Sequence, residues 1–322
     1  MANAAHELGS MQLDLNTDRN KTELREAEEQ SRSLLLADAM IFAKRHEKPK
    51  QEVAPPSQPV ERWPMPHGLI SQDLQLNLTR EEKDRIGKKI WKNESGGTVD
   101  GLTAWNRGEE FPSLGIGHFI WMPKGVVTPF GDSFPEAMEF LRSHGKTPPA
   151  WIQPGTPAPW NSRDEFYKKF NSKQMVELRN FLADTVPEQT DFIIDRLEKA
   201  LPKILAATPD NEKQKVQERF YRVLNSGPAG VFALADYVNF KGEGAADPVQ
   251  YNNQGWGMRH VLQNMKDLDN PVKDFSVSAR EMLERRVKNA PPERHEERWL
   301  KGWTRRVEDY VNDPPIRAKR KR

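Results

Sequence analysis

Cysteine is absent from the 322-residue chain, and this absence excludes several kinds of chemistry at once. Without cysteine there is no disulfide bond, no thiol nucleophile, no iron–sulfur cluster and no cysteine-based zinc site. The sequence also has no apolar run near the roughly 18–20 residues that a membrane-spanning helix needs, and no N-terminal apolar stretch typical of a signal peptide. A carboxylate is therefore the best remaining candidate for a catalytic group.

Charge is almost balanced in total, with 49 Lys and Arg against 47 Asp and Glu, but it is unevenly distributed. Five basic residues lie within 317–322, so the rest of the chain is slightly acidic. Such a tail can bind nucleic acid or an anionic surface, but a disordered, solubilising end is the favoured interpretation, and we expect no nucleic-acid partner. Arg and Glu alternate through residues 280–306, which predicts mostly a solvated, salt-bridged face.

Composition divides the chain into four parts. The composition of residues 1–48 predicts a disordered start, and the spacing of their apolar residues predicts a helix after it. Residues 49–66 contain six prolines and predict a stiff linker. The main domain is expected over 67–313, followed by a basic, disordered tail over 314–322.

The main domain has the pattern of a mostly helical α+β fold. Thr79 and Glu82 form a capping box that predicts a helix start, and the Gly96-Gly97 pair predicts its end. Five prolines make 143–160 a long loop. Further helices are predicted over 163–184, 188–206, 211–224, 228–240, 256–266, 276–289 and 293–311.

Glu94 is the most informative residue of the first helix. It lies four residues after Ile90 and so continues the apolar stripe that faces the core. Partial burial and the negative end of the helix both disfavour a lone carboxylate anion, which suits a general acid near neutral pH. The alternative is a helix-end Glu that reaches solvent or pairs with Lys88 or Lys92.

Residues 113–121 alternate in a way that predicts a short β-strand. Gly115 and Gly117 share one face of it with Ser113, while His118 points to the other face. Two glycines on one face leave a flat surface on which a sugar or a peptide can lie against backbone amides. The alternative is a glycine pair required by a tight bulge.

Together, these segments resemble the active-site helix and β-hairpin of phage-type lysozymes. In that family a helix-end Glu precedes a Thr-x-Gly-x-Gly-His strand, and Glu94, Ser113 and His118 match its Glu, Thr and His. The pair Glu94-Ser95 is also similar to the Glu-Ser of lytic transglycosylases. The resemblance covers about residues 80–121. The nearest candidates for the family's second carboxylate are Asn106, Glu109 and Glu110.

A second polar segment, residues 234–257, is similar to part of the transglycosylase-like domains. Those domains place an Ala-x-Tyr-Asn segment beside the acid, and Ala235, Tyr237 and Asn239 resemble it. Polar groups with aromatic planes suit sugar recognition. The alternative is a Gly-rich turn with packed aromatic side chains. From the resemblance and from this composition together, we expect the following supporting or substrate-binding residues: Ser113, Gly115, His118, Glu109, Tyr237, Asn239, Glu243, Gln254 and Trp256.

The resemblance implies a lysozyme-like domain and a peptidoglycan-cleaving glycosidase, a muramidase, with Glu94 as the general acid on the bond between amino sugars. Ser113 would hold a water or a substrate group, His118 would lock the strand, and the 143–160 loop would cover part of the groove. If the substrate's own N-acetyl or C6 hydroxyl group completes the reaction, the protein is a lytic transglycosylase. A non-catalytic peptidoglycan-binding protein of the same fold is the third alternative.

The same resemblance implies a monomer whose partner is the peptidoglycan glycan strand, with no cofactor and no metal. The implied place of action is the periplasm or outside the cell, although no signal peptide is visible in the sequence.

Overall fold

The computed structural model describes residues 78–126, 132–245 and 250–315. The predicted N-terminal helix, the proline-rich linker, the start of the main domain at residue 67 and the tail from residue 316 onwards lie outside the described residues. None of the helices within these three ranges is both long and apolar enough to cross a membrane.

The described residues form ten α-helices and one small antiparallel sheet, which confirms the predicted mostly helical α+β class. The helices are α1 (Arg80–Ser95), α2 (Ser133–Ser143), α3 (Arg163–Lys168), α4 (Lys173–Asp184), α5 (Val186–Ala206), α6 (Asp210–Leu224), α7 (Pro228–Lys241), α8 (Met258–Asn264), α9 (Pro271–Asn289) and α10 (Glu297–Asn312). The strands are β1 (Thr103–Ala104), β2 (Ser113–Leu114) and β3 (Phe119–Ile120), paired in that order. Short 3-10 helices cover Asp100–Leu102 and Pro292–Arg294.

Helix α1 begins and ends where its sequence predicts. The Thr79 hydroxyl accepts a hydrogen bond from the Glu82 amide at 3.2 Å, and the Glu82 carboxylate accepts one from the Thr79 amide at 2.8 Å. Gly96 then adopts a left-handed conformation, with φ of 66°, and ends the helix. Both predicted boundaries of α1 are confirmed.

The prediction of a single strand over 113–121 is wrong, because this segment is a β-hairpin. Ser113 pairs with Ile120 across β2 and β3, and the four residues between Leu114 and Phe119 form the turn. Gly115 and His118 both have positive φ, at 74° and 49°. Such angles lie outside extended backbone, so the chain reverses here rather than continuing.

The predicted helix over 163–184 is two helices, α3 and α4. The break occurs because the Ser172 side chain accepts a hydrogen bond from the Met175 amide at 3.3 Å and caps a new helix. Helix α9 begins at Pro271, before the predicted residue 276, since Asn270 caps it by accepting from the Lys273 amide at 3.0 Å. Helix α2 was not predicted from the sequence.

Helices α1 and α5 approach each other closely, and both pack against α7. A Cβ atom built on Gly87 of α1 would lie only 2.0 Å from the Thr190 hydroxyl of α5, so only glycine permits this contact. Helix α7 is buried on nearly all sides and forms the centre of the domain. The end of α1 is therefore held against α5 and α7 at a fixed position.

The charged residues of α9 and α10 include one pair that is fully buried. Arg280 forms exposed pairs with Glu284 and Glu308, as a solvated face predicts. Arg286, in contrast, donates two hydrogen bonds to Glu296, at 2.7 and 2.8 Å, and both side chains have an exposed fraction of 0%. The predicted solvated face is thus wrong for this pair.

We expect Arg286→Met to lower the free energy of unfolding by about 3–5 kcal/mol, because it leaves the buried Glu296 carboxylate without its main counter-charge. Urea denaturation measures this change. The matched control is Arg305→Met, which removes an exposed guanidinium from α10 and should change stability by about 0.5 kcal/mol or less. Equal effects of the two substitutions would contradict the structural role of the buried pair.

Candidate active site

Glu94 lies in the last turn of α1 and faces the protein interior. Its exposed fraction is 6%, and Ile86 and Ile90, which precede it on the same stripe, are fully buried. The inward-facing stripe predicted from the sequence is confirmed. A carboxylate at this depth needs polar partners, since burial without them costs several kcal/mol.

The partners of Glu94 come from two distant helices. Its Oε1 atom accepts a hydrogen bond from Asn239 Nδ2 of α7 at 3.1 Å and another from Arg306 Nη2 of α10 at 2.5 Å. The expectation that Glu94 is a lone carboxylate on its face is therefore wrong. Glu94 forms a buried ion pair with Arg306.

Arg306 also binds a second carboxylate, that of Asp236 in α7. Two hydrogen bonds of 2.8 Å join its Nε and Nη2 atoms to the two Asp236 oxygens, and the Tyr310 hydroxyl donates to Asp236 Oδ2 at 2.8 Å. Burial lowers the pKa of the Arg306 guanidinium, but the charges of Asp236 and Glu94 outweigh burial and hold this pKa well above its usual range. One permanent cation thus serves two carboxylates.

Sequence reasoning missed Arg306, because the alternation of Arg and Glu favoured a solvated face for the whole helix. A usable signal was present in its spacing. Arg306 lies three residues after Trp303 and four before Tyr310, and both of these aromatic residues are buried. The guanidinium therefore continues the core-facing stripe of α10, as Glu94 continues that of α1.

A cavity of about 220 Å³ opens beside Glu94, between the β-hairpin and α7. Its walls come from α1, from the segment 106–120, from the ends of α2 and α7 and from the middle of α5. Five of the predicted site residues line it together: Glu94, Glu109, Ser113, His118 and Asn239. These residues come from three separate segments of the sequence.

The hairpin side of this cavity is fixed by hydrogen bonds. Glu109 is 7% exposed, and its Oε1 atom accepts a hydrogen bond from Asn106 Nδ2 at 3.0 Å. A ring nitrogen of His118, Nε2, lies 3.1 Å from the Gly101 carbonyl oxygen and ties the hairpin turn to the preceding 3-10 helix. Ser113 is 3% exposed and lies at the start of β2.

The prediction that Gly115 and Gly117 share one face of a strand is wrong, because both lie in the hairpin turn. Gly117 lines the Glu94 cavity, whereas Gly115 does not. A Cβ atom on Gly115 would lie 2.4 Å from Gln189 Oε1, and one on Gly117 would lie 2.6 Å from the Phe119 ring. Both glycines are therefore required by packing of the turn against its own strand and against α5. This outcome matches the alternative of a glycine pair in a tight turn.

Four other predicted site residues lie away from the Glu94 cavity. Tyr237 is buried, and its hydroxyl donates to the Trp256 carbonyl at 2.7 Å; burial raises the pKa of this phenol despite the nearby Arg286 and Arg285. Trp256 is itself buried beneath the Arg286 guanidinium. Gln254 is exposed and accepts a hydrogen bond from Asn289 at 3.3 Å. For Tyr237 and Trp256, the packing alternative describes the structure.

Glu243, the fourth of these residues, lines a second and larger cavity of about 780 Å³. This cavity lies between α2, α5 and the segment 152–156 of the proline-rich loop, and it shares Ser133 and Arg196 with the smaller cavity. The loop thus forms one wall of a recess next to the Glu94 cavity. Glu243 itself pairs with Lys203 at 2.9 Å.

Across the described ranges, no group of three or more His, Asp or Glu side chains is arranged to hold a metal ion. The chemistry available at the smaller cavity includes two carboxyl groups, Glu94 and Glu109, and two cationic side chains, Arg196 and Lys241. The Ser113 hydroxyl, the His118 ring and the Asn239 amide also line it. Such a set can donate a proton, accept a proton and orient a polar substrate.

Comparisons of the chain with protein-family models, with curated proteins and with solved structures found no match. The function proposed below therefore depends on the residues of the two cavities and on their geometry.

Asp132, at the edge of the larger cavity, provides a test of the local electrostatics. Burial raises the pKa of this carboxyl from 3.8 to about 6; the Met122 amide opposes the shift and Glu136 adds to it. In the folded protein this carboxyl is favoured in its protonated form. Its contribution to the free energy of unfolding is therefore full below the pKa of the unfolded chain and is lost as pH rises through about 6. Asn keeps the hydrogen-bond acceptor without the charge.

We therefore expect Asp132→Asn to stabilise the protein above pH 6, by about 1 kcal/mol once solvent screening of the half-buried carboxyl is allowed for, and to have little effect below pH 4. Thermal unfolding of both proteins across this pH range measures the difference. The control is Asp269→Asn, at an exposed position in the loop before α9, which should change stability little at any pH in this range. A difference that does not vary with pH would contradict the assignment.

Proposed function

We propose that this protein is a peptidoglycan-cleaving glycosidase of the muramidase type, with Glu94 as the general acid. The observation that carries the proposal is the shared cavity of about 220 Å³. The buried helix-end Glu94 lines it together with Glu109, Ser113, His118 and Asn239, so half of the ten expected site residues surround one cavity. Glu94 donates its proton to the glycosidic oxygen as the bond between two amino sugars breaks.

The hydrogen bonds of the Glu94 cluster support Glu94, rather than Asp236, as the group that acts on a substrate. Asp236 is fully buried and accepts two hydrogen bonds from Arg306 and one from Tyr310. Glu94 lines the cavity and is the group that transfers the proton in the proposed reaction.

Glu109 supports a hydrolytic outcome. It lines the same cavity as Glu94 and is held in place by Asn106. A second carboxylate across the bond that breaks can activate a water or stabilise the positive sugar intermediate. Ser113 holds this water or a substrate hydroxyl, and His118 keeps the hairpin in position. The proposed place of action is the periplasm or the outside of the cell, where peptidoglycan lies.

One observation favours a second candidate, a non-catalytic peptidoglycan-binding protein. The buried ion pair between Glu94 and Arg306 is also what a purely structural carboxylate forms. In that case the cavity binds glycan without cleaving it. Both candidates predict binding to sacculi, but only the glycosidase releases fragments from them. One variant of Glu94 therefore distinguishes the two.

We expect Glu94→Gln to lower the release of fragments from purified sacculi by about 10²–10⁴-fold, the range typical of a general acid. Gln keeps the carbonyl oxygen that accepts from Asn239 and Arg306, so the fold and the pull-down on sacculi should persist. The matched control is Glu81→Gln, at an exposed position of the same helix, which should leave turnover unchanged.

Mass spectrometry of the fragments completes this experiment. Reducing ends identify hydrolysis, whereas 1,6-anhydro ends identify a lytic transglycosylase. Equal fragment release by the wild type and by Glu94→Gln would overturn the role of Glu94. Binding of sacculi without any fragment release by the wild type would favour the non-catalytic candidate.

A further inference from the structure

Arg196 occupies the boundary between the two cavities. It lies in the middle of α5, is half-buried and lines both the cavity of about 220 Å³ and that of about 780 Å³. Its guanidinium lies 5.9 Å from the centre of the Phe192 ring. Together with Ser133, this side chain separates the two cavities, so a ligand that occupied both would lie against it.

Arg196 differs from the other basic residues of the larger cavity in having no acidic partner among the described residues. Lys199 pairs with Asp195 at 2.6 Å, Lys203 with Glu243 at 2.9 Å, and Arg142 with Glu139 at 3.8 Å. A partly buried guanidinium without a counter-charge has lost hydration and gained no ion pair in return. Binding of an anion at this position recovers that loss.

The larger cavity has a fixed wall opposite α5. Arg142 of α2 donates a hydrogen bond of 2.7 Å to the Ile152 carbonyl and so holds the proline-rich loop against α2. At the start of α2, Asp132 and Glu136 also line the cavity, and neither forms an ion pair within the described residues. The cavity therefore offers a cation on one wall and two carboxyl groups on another.

We propose that Arg196 binds a carboxylate of the peptide stem of peptidoglycan, and that the larger cavity holds this stem while the glycan occupies the Glu94 cavity. The inference depends on the proposed function. A guanidinium binds a carboxylate through two parallel hydrogen bonds, which fixes its orientation as well as its position. Peptide stems carry carboxylates together with an amino group, and Asp132 and Glu136 suit the amino group.

The test compares two substrates, intact sacculi and glycan strands from which an amidase has removed the stems. For Arg196→Gln we expect KM on intact sacculi to rise about 10–100-fold with kcat unchanged, since hydrogen bonds to charged groups contribute to binding on that scale. On stripped strands the variant should match the wild type. Arg196→Lys should raise KM on intact sacculi by less than Arg196→Gln does, because lysine retains the charge but lacks the paired donors.

Arg85→Gln is the matched control, since it removes an exposed guanidinium of α1 far along the helix from Glu94. It should leave KM unchanged on both substrates. An equal loss on both substrates for Arg196→Gln, or no loss on either, would overturn the peptide-stem site.

Failure of the proposed function has a different signature. If the wild type releases no fragments from either substrate, the glycosidase proposal fails, whereas the Arg196 site is then tested by binding alone. Titration calorimetry with a soluble stem peptide should show that Arg196→Gln binds the peptide at least about tenfold more weakly than the wild type does. Equal affinities would overturn the site.

Discussion

The candidate active site depends on the ionic cluster of Arg306, Asp236 and Glu94. These residues belong to α10, α7 and α1, so one guanidinium joins three helices that are distant in sequence. Each charge alone would cost several kcal/mol to bury, and their mutual hydrogen bonds, with those from Asn239 and Tyr310, offset that cost. The position of Glu94 is consequently coupled to the packing of the last helix, because the carboxyl group cannot remain buried if Arg306 moves away.

A second constraint, the close contact of α1 with α5, determines what surrounds that cluster. The absence of a side chain at Gly87 brings the Thr190 hydroxyl of α5 against the α1 backbone. Since α5 also carries Arg196, this contact sets the relative positions of the proposed proton donor and of the cation between the two cavities. The same contact is reinforced by an ion pair between Lys83 of α1 and Asp191 of α5, at 2.7 Å, so it combines close packing with charge.

The local features of the fold were predictable from the sequence, and the distant pairings were not. The capping box at Thr79, the helix end at Gly96 and the inward position of Glu94 each depend on a few neighbouring residues, and all three are confirmed. The resemblance implied a β-hairpin beside the catalytic helix, whereas alternation alone predicted a single strand. Alternation continues through Gly115 to His118, where positive φ angles interrupt the strand. Arg306 and Arg196 were missed because nothing in a single helix reveals which distant carboxylate, if any, its guanidinium meets.

The buried ion pair and the proposed proton donation can involve the same residues because Arg306 contacts both carboxyl groups of the cluster. Asp236 is fully buried and accepts two hydrogen bonds from Arg306 and one from Tyr310, so it stays on the inner side of the cluster. Glu94 accepts from Arg306 and Asn239 and also lines the cavity. In the proposed reaction, transfer of a proton from Glu94 to the leaving group forms a carboxylate beside a guanidinium that is already in place. The same cation therefore positions the acid and stabilises its conjugate base.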